Sequence, residues 1–328
     1  MKVLRSRLSA VGLKRTFLNK VVLPSWWDDS LAESTGGFRE GASHVAARLG
    51  FPLADLLNHE KPLVMRNPGG VKYKKARGVS EGDVCLMTNY AIGVARAAAS
   101  AYLEEPPAAS VPAAGEWRSA LQALSDRPWV CLRHMLEATW RMGIPVLHVR
   151  NLPAGARKPD ALTTMVGDRP VIVILSGRKS PSWVAFTVAH ELGHLHHGHL
   201  QAGQTLVDEK IETRDGGPEE TEANEYASRL LTGQSDFGLH SSRSLGPAQL
   251  ATQAKVFGEK YRVAPGVAAL NYGFTTGSWG TANGAVTLLE KNDDAAVYLQ
   301  TAQEAHLDRA ALSEDSWEWI ARATAANE

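Results

Sequence analysis

HELGHLHHGHL, residues 190–200, places five histidines and one acidic residue within eleven positions. His190 and His194 are four residues apart, and on an α-helix such residues lie one turn apart on nearly the same face. Both imidazoles can then reach one metal ion. Glu191 lies about 100° further around the helix axis, where its carboxylate would meet a water molecule on the metal rather than the metal itself. The stretch therefore predicts a helix that carries a metal site.

The other three histidines of the stretch are sorted by the same helical geometry. His196 and His199 project roughly opposite the face of His190 and His194 and are therefore poor ligands. His197 returns to within about 40° of that face, but it lies a turn further along the helix. We therefore predict two histidine ligands, with His197 lining the site at most.

A catalytic zinc site keeps three protein ligands and one position for water, so one more ligand is needed. The acidic segment EETEANEYA, residues 219–227, is the natural source. On a helix, Glu219 and Glu222 are expected to border the apolar stripe, whereas Glu220 and Glu225 are expected to diverge from it. Spacing alone leaves Glu219 and Glu222 as alternatives.

The flanking sequence indicates an α+β fold. Short β-branched runs, IPVLHV (144–149), ALTTMV (161–166) and VIVIL (171–175), predict strands, and VGDRP predicts a tight turn that joins the last two as an antiparallel hairpin. Ser180 and Pro181 predict the start of the histidine-bearing helix, and Pro218 the start of the acidic helix. We expect a mostly helical N-terminal region followed by a zincin-like metallopeptidase domain, in which a small antiparallel or mixed sheet packs on the H-E-x-x-H helix.

Three regions are predicted along the chain. EEPPAASVPAAG, residues 104–115, has the composition of a linker. It separates a helical region over 1–110, with a helix-turn-helix-like pattern, from a metallopeptidase domain over 116–240. Residues 241–328 form a C-terminal mixed region to which no motif gives a role.

Several motifs taken together resemble the ImmA/IrrE family of zinc metallopeptidases over about residues 142–232. Members of that family show F-T-x-A-H-E-L-G-H followed by E-A-N-x-F-A-x-x-L-L, and this chain has FTVAHELGH (186–194) and EANEYASRLL (222–231). Two positions depart from the pattern: Tyr226 stands where phenylalanine is usual, and Thr232-Gly233 replaces the common Met-Pro.

The resemblance implies a set of site residues. It assigns His190, His194 and Glu222 as ligands of Zn²⁺ and Glu191 as the general base. Tyr226 brings a hydroxyl near the site and is a candidate catalytic residue that stabilises the oxyanion, as are His240 and Tyr261. We further expect an extended substrate to pair with the edge of the strand VIVIL.

The resemblance also implies a function. Its members cleave specific partner proteins, often helix-turn-helix repressors or antitoxins, in regulatory, stress or phage-defence circuits, and some act as toxins. We therefore expect a protein substrate encoded nearby. The alternative is a toxin or DNA-binding regulator that acts by binding, with a silent zinc site. DNA contact through residues 25–60 is the lesser expectation.

Composition agrees with a cytoplasmic protein that does not coat nucleic acid. The chain of 328 residues has 35 basic and 35 acidic residues, so it carries no net charge at neutral pH. Its two cysteines, Cys85 and Cys131, lie in apolar helical patterns and are expected to be core residues. No apolar run is long enough for a signal peptide or a membrane span.

Overall fold

The computed structural model describes residues 2–74, 81–102, 110–155, 158–208, 217–235, 238–239 and 244–326. Helices dominate these residues, and the first half of the predicted linker 104–115 lies outside them. The α-helices are α1 (Lys2–Ala10), α2 (Arg15–Phe17), α3 (Thr35–Leu49), α4 (Leu53–Leu57), α5 (Glu81–Ala101), α6 (Ala114–Leu124), α7 (Leu132–Arg141), α8 (Pro181–His196), α9 (Pro218–Thr232), α10 (Pro247–Tyr261), α11 (Pro265–Thr276), α12 (Trp279–Leu289), α13 (Ala295–His306) and α14 (Glu314–Thr324).

One mixed sheet of five strands lies within the described part of the chain. The strands are β1 (Val71–Lys74), β2 (Val146–His148), β3 (Ala161–Val166), β4 (Arg169–Ile174) and β5 (Thr205–Asp208). Their order across the sheet is β1-β5-β3-β4-β2. The β5–β3 and β3–β4 pairs are antiparallel, whereas β1 runs parallel to β5 and β2 parallel to β4. The expected α+β fold with a small mixed sheet is confirmed.

The β3–β4 hairpin forms where the sequence predicts it, with Val166 paired to Arg169 across the turn. The prediction that a substrate pairs with the edge of this strand β4, however, is wrong. One edge of β4 is bonded to β3 and the other to β2. Because a strand in the interior of a sheet has no unpaired backbone groups, no peptide can be added beside it.

The edge strand β1 is a feature that the sequence did not reveal. It lies in a segment rich in Lys, Arg and Gly, whose composition argues against a strand. Its pairing with β5 joins Val71 to Thr205 and Lys74 to Asp208, across more than 130 residues. Such a contact depends on the rest of the fold being in place and leaves no local pattern in the sequence.

Helices α8 and α9 form the layer that carries the acidic and histidine side chains. The side chain of Ser180 accepts a hydrogen bond from the Trp183 backbone and caps α8, and Pro181 occupies its first turn. Pro218 likewise begins α9, which ends at Gly233 in a left-handed conformation. Both predicted helix starts are confirmed. Helix α8 contacts β3 and β4 on one side and α9 on another, so it is held between the sheet and the acidic helix.

The N-terminal region packs on the C-terminal helix. Arg48, on α3, is buried and donates hydrogen bonds to the carbonyls of Val22 and Asp315, and the Trp26 indole donates to the Asp315 carboxylate. Helix α3 ends at Gly50, and α4 follows it with only five residues. Residues 25–60 thus contain the predicted helix pair, while DNA contact stays a prediction. No helix in the described ranges is long and apolar enough to cross a membrane.

Candidate metal centre

His190 and His194 project from α8 to a common point in the interior. Their Nε2 atoms lie 3.1 Å apart. A carboxylate oxygen of Glu220, in the first turn of α9, lies 3.4 Å from His190 Nε2, and its other oxygen lies 3.3 Å from His194 Nε2. Asp208 Oδ2, at the end of β5, lies 3.2 Å from the first nitrogen and 3.7 Å from the second. Each of the four residues offers one ligand atom, all within 4.8 Å of one another.

The far side of each imidazole is held by its own partner. Nδ1 of His190 lies 3.0 Å from Oδ1 of Asn224, an atom that can only accept a hydrogen bond. Nδ1 of His194 lies 2.8 Å from Nδ1 of His199, whose Nε2 lies 2.9 Å from the Glu222 carboxylate. The acceptors at both ends place the protons on the Nδ1 atoms and leave each Nε2 lone pair turned inward. Such outer partners fix the ring orientation and tautomer of metal-binding histidines.

Glu191 lies beside this cluster and is completely buried. Its Oε2 accepts a hydrogen bond of 2.5 Å from the hydroxyl of Thr163, on β3, whereas Oε1 has no hydrogen-bond partner. The sheet therefore orients one oxygen of the carboxylate and leaves the other free toward the interior.

The pKa values of the cluster reflect the burial of these groups and the charges of their neighbours. Burial by itself lowers the pKa of His190, but contact with Asp208 and Glu220 and their charge outweigh it and raise the pKa to about 10. Burial lowers the pKa of His194. Burial, followed by the charge of Asp208, raises the pKa of Glu191 well above its usual range. The carboxylates of Asp208 and Glu220 thus favour a positive charge at His190, which faces both of them.

The comparison with protein families agrees with this geometry. Residues 144–265 match the model of the M78 peptidases that is described as the IrrE N-terminal-like domain. This part of the chain belongs to the ImmA/IrrE family. The matched residues include the cluster of His190, His194, Asp208 and Glu220. The match supports a metallopeptidase-type function. No curated protein matches the chain.

Within the M78 domain, the structure does not bring Glu222 to His190 and His194. Its side chain is about half exposed and pairs with His199. Glu220 takes the position beside the two histidines and is buried. The predicted divergence of Glu220 from the apolar stripe is therefore wrong: it lies three residues before Ala223 and seven before Ala227, and both separations return to one face of a helix.

The direction predicted for His199, opposite the face of His190 and His194, is also wrong, because α8 ends at His196. Gly198 adopts a φ of 71°, which reverses the chain. His199 is thereby carried back to His194 and becomes its outer partner, a result that geometry on a continuous helix cannot give. His197 is exposed, and His196 turns away to the carbonyl of Val111.

Tyr226 has a structural partner in this arrangement. Its hydroxyl donates a hydrogen bond of 2.8 Å to the carbonyl of Pro112, and its ring packs on His196. Burial raises the pKa of Tyr226, so the hydroxyl stays protonated. The structure thus gives Tyr226 a role in joining α9 to the segment before α6 and does not place its hydroxyl among the ligand atoms. Tyr261 is exposed at the end of α10, and His240 lies outside the described residues.

Sequence reasoning missed three residues of the centre. Thr163 and Asp208 lie on strands, and their approach to α8 depends on the packing of the sheet. Asp208 directly follows the apolar residues Leu206 and Val207, but it is followed by Glu209 and does not stand out in the sequence. Asn224 belongs to the E-A-N motif, which predicts its presence but not its contact with His190.

Gly193 sets the distance between the two helices of the centre. A Cβ at this position would lie 2.8 Å from Ala223 Cα, 2.9 Å from the Ala223 carbonyl oxygen and 3.0 Å from Tyr226 Cβ. These are backbone or rigid atoms of α9, so α9 would have to move as a whole. The glycine therefore lets Glu220 approach the histidines.

We expect Gly193→Ala to lower the free energy of unfolding by about 1–3 kcal/mol through overpacking, and to weaken metal binding by displacing Glu220. Chemical denaturation and metal titration measure the two effects. Gly280, near the start of α12, has open space around its would-be Cβ, so Gly280→Ala is the control and should be neutral or slightly stabilising. Equal effects from the two substitutions would contradict the close approach at Gly193.

Proposed function

We propose that the chain is a zinc-dependent endopeptidase with His190, His194 and Glu220 as its metal ligands. The observation that carries this proposal is the pair of Nε2 atoms that face each other at 3.1 Å with a carboxylate beside both. Because the Nδ1 atoms of both rings are engaged elsewhere, the two inward lone pairs need a cation between them. Two imidazoles and one carboxylate are the donor set of several catalytic zinc sites.

The chemistry that zinc supplies in such a site is Lewis-acid polarisation of a water molecule and of the scissile carbonyl. Glu191 is suited to the accompanying proton transfers. Thr163 fixes one of its oxygens, and the free Oε1 can accept a proton from water and return it to the leaving amine. The raised pKa of Glu191 makes its carboxylate a stronger base for the first of these transfers.

The substrate that we propose is a specific partner protein, such as a helix-turn-helix repressor or an antitoxin encoded nearby, in a regulatory, stress or phage-defence circuit. The match to the M78 peptidases supports the reaction class. We also propose a cytoplasmic location, which the two free cysteines, Cys85 and Cys131, support.

Cleavage by the wild-type chain and by Glu191→Gln tests the proposal. Each is mixed with a helix-turn-helix protein encoded beside it, in the presence of zinc, and fragments are identified by mass spectrometry. We expect wild type to generate defined fragments and Glu191→Gln to generate none, while both bind one zinc ion. If the variant still cleaves, Glu191 is not the base. If both variants bind the partner and neither cleaves it, the chain acts by binding, which is the alternative that the sequence left open.

A further inference from the structure

Asp208 is a buried carboxylate, and no hydrogen bond among the described residues compensates for its burial. Its side chain is fully excluded from solvent, and neither of its oxygens makes a hydrogen bond of normal geometry. Buried carboxylates are stable when they are paired, hydrogen-bonded or bound to a metal. Oδ2 of Asp208 points to the nitrogens of His190 and His194, at 3.2 and 3.7 Å. A cation at the centre of the cluster would satisfy it.

The distances from the two histidine nitrogens to the carboxylates are close to the edge length of a tetrahedron around zinc. With metal–ligand bonds of about 2.0–2.2 Å, two corners of a regular tetrahedron lie about 3.3–3.6 Å apart. The five measured separations are 3.1 Å between the histidine nitrogens, 3.2 and 3.7 Å to Asp208, and 3.4 and 3.3 Å to the oxygens of Glu220. The two distances to Glu220 go to different oxygens of its carboxylate, and one atom from each of the four residues lies within 4.8 Å of the others. Asp208 is thus about as near to the two nitrogens as Glu220 is.

The charges agree with the same arrangement. Two neutral imidazoles and the two carboxylates of Asp208 and Glu220 carry a total charge that neutralises one divalent ion. A site with only three of these ligands would leave the Asp208 charge buried and uncompensated, which is strongly unfavourable.

We propose that Asp208 is a fourth protein ligand, which fills the corner that hydrolysis requires for water and so holds the site in a latent state. This inference rests on the metal site of the proposed function. Four protein ligands close a zinc site, whereas catalytic sites keep one position open. The negative charge of Asp208 also acts on Glu191, the residue that would contact the water.

Access to the site agrees with a latent state. His190, Glu191 and His194 are fully buried, and Glu220 is nearly so. Strand β5 carries Asp208 and is bonded to β3 on one side and β1 on the other, so neither edge can receive a peptide. The end of β5 must withdraw before a substrate reaches Glu191, and Asp208 withdraws with it. One movement thus opens both the coordination corner and the path to it.

The strand β1 is tied to the same region. Lys72 donates a hydrogen bond of 2.8 Å to the carbonyl of His199 and lies 3.7 Å from the carboxylate of Glu219. These contacts join β1 to the segment after α8 and to the start of α9. These contacts hold β1 against the outer edge of β5.

Cobalt substitution with azide as a probe tests the proposal without reference to cleavage. The visible spectrum of protein-bound Co²⁺ reports its ligands, and azide binds where a corner is open. We expect the wild-type spectrum to be unchanged by azide. Asp208→Ala and Asp208→Asn should each bind one Co²⁺ per chain, at least tenfold more weakly, with a spectrum that shifts on addition of azide. Glu225→Gln, whose side chain is exposed and lies beside Arg229, is the matched control and should respond as wild type does.

Two results would overturn the proposal: a wild-type spectrum that shifts with azide as the variants do, or a cobalt affinity that neither Asp208 variant changes. If Asp208→Ala does not fold, as circular dichroism would show, the nearly isosteric Asp208→Asn decides alone. A wild-type chain that binds no cobalt overturns the fourth ligand together with the metal site. A chain that gives the expected spectra but cleaves no partner overturns the peptidase and leaves Asp208 as a ligand.

Discussion

Glu220→Gln is expected to weaken zinc binding more than about 100-fold, a larger loss than removal of an outer partner causes. Glutamine keeps the size of the side chain and removes the charge that faces both Nε2 atoms at 3.3–3.4 Å. Competition with a chromophoric chelator, with the dissociation constant as the result, measures the change.

Two neighbours on α9 provide a graded control for this substitution. Glu222 bonds His199 and thus acts on the metal only through His194. Glu222→Gln should therefore weaken zinc binding about tenfold at most. Glu225 is exposed and faces Arg229, so Glu225→Gln should leave the affinity unchanged. If Glu222→Gln loses more zinc affinity than Glu220→Gln does, Glu222 is the ligand, as the sequence motif implied.

Removal of the metal is expected to lower the melting temperature by about 10 °C. An ion present at about 1,000 times its dissociation constant stabilises the folded state by about 4 kcal/mol, and each kcal/mol corresponds to about 2–4 °C for a large domain. The physical cause is that Asp208 and Glu220 are buried together, and their charges need the cation. Differential scanning calorimetry with and without a chelator measures the shift.

The Glu220→Gln variant serves as the control for this experiment as well. It binds little metal, so the chelator should move its melting temperature by less than about 3 °C. Equal melting temperatures for the wild-type chain with and without the chelator would show that no bound ion stabilises the fold.

The centre shows which parts of a site can be read from local sequence. The spacing of His190 and His194 fixes their common face within one helix, and the hairpin β3–β4 follows from a short turn between two β-branched runs. Both predictions are confirmed by the structure because each depends on contacts between residues close in the chain. Glu220 was also accessible to helical geometry, but the prediction placed Glu219 and Glu222 beside the apolar stripe, and the motif then favoured Glu222.

The remaining parts depend on where elements end and which elements meet. His199 reaches His194 because α8 stops and Gly198 reverses the chain, and no periodicity predicts that end. Asp208 enters the cluster through the pairing of β5 with β3 and β1, which brings together segments far apart in sequence. The closed character of the site is therefore a property of the sheet, and the H-E-x-x-H motif by itself predicts only an open one.

A zinc-edge anomalous diffraction experiment on crystals of the zinc-loaded protein tests the metal centre most directly. We predict a single strong peak within about 2.2 Å of His190 Nε2, His194 Nε2 and a carboxylate oxygen of Glu220. A map without a peak at this position, or a peak whose carboxylate ligand from α9 is Glu222, would contradict the account.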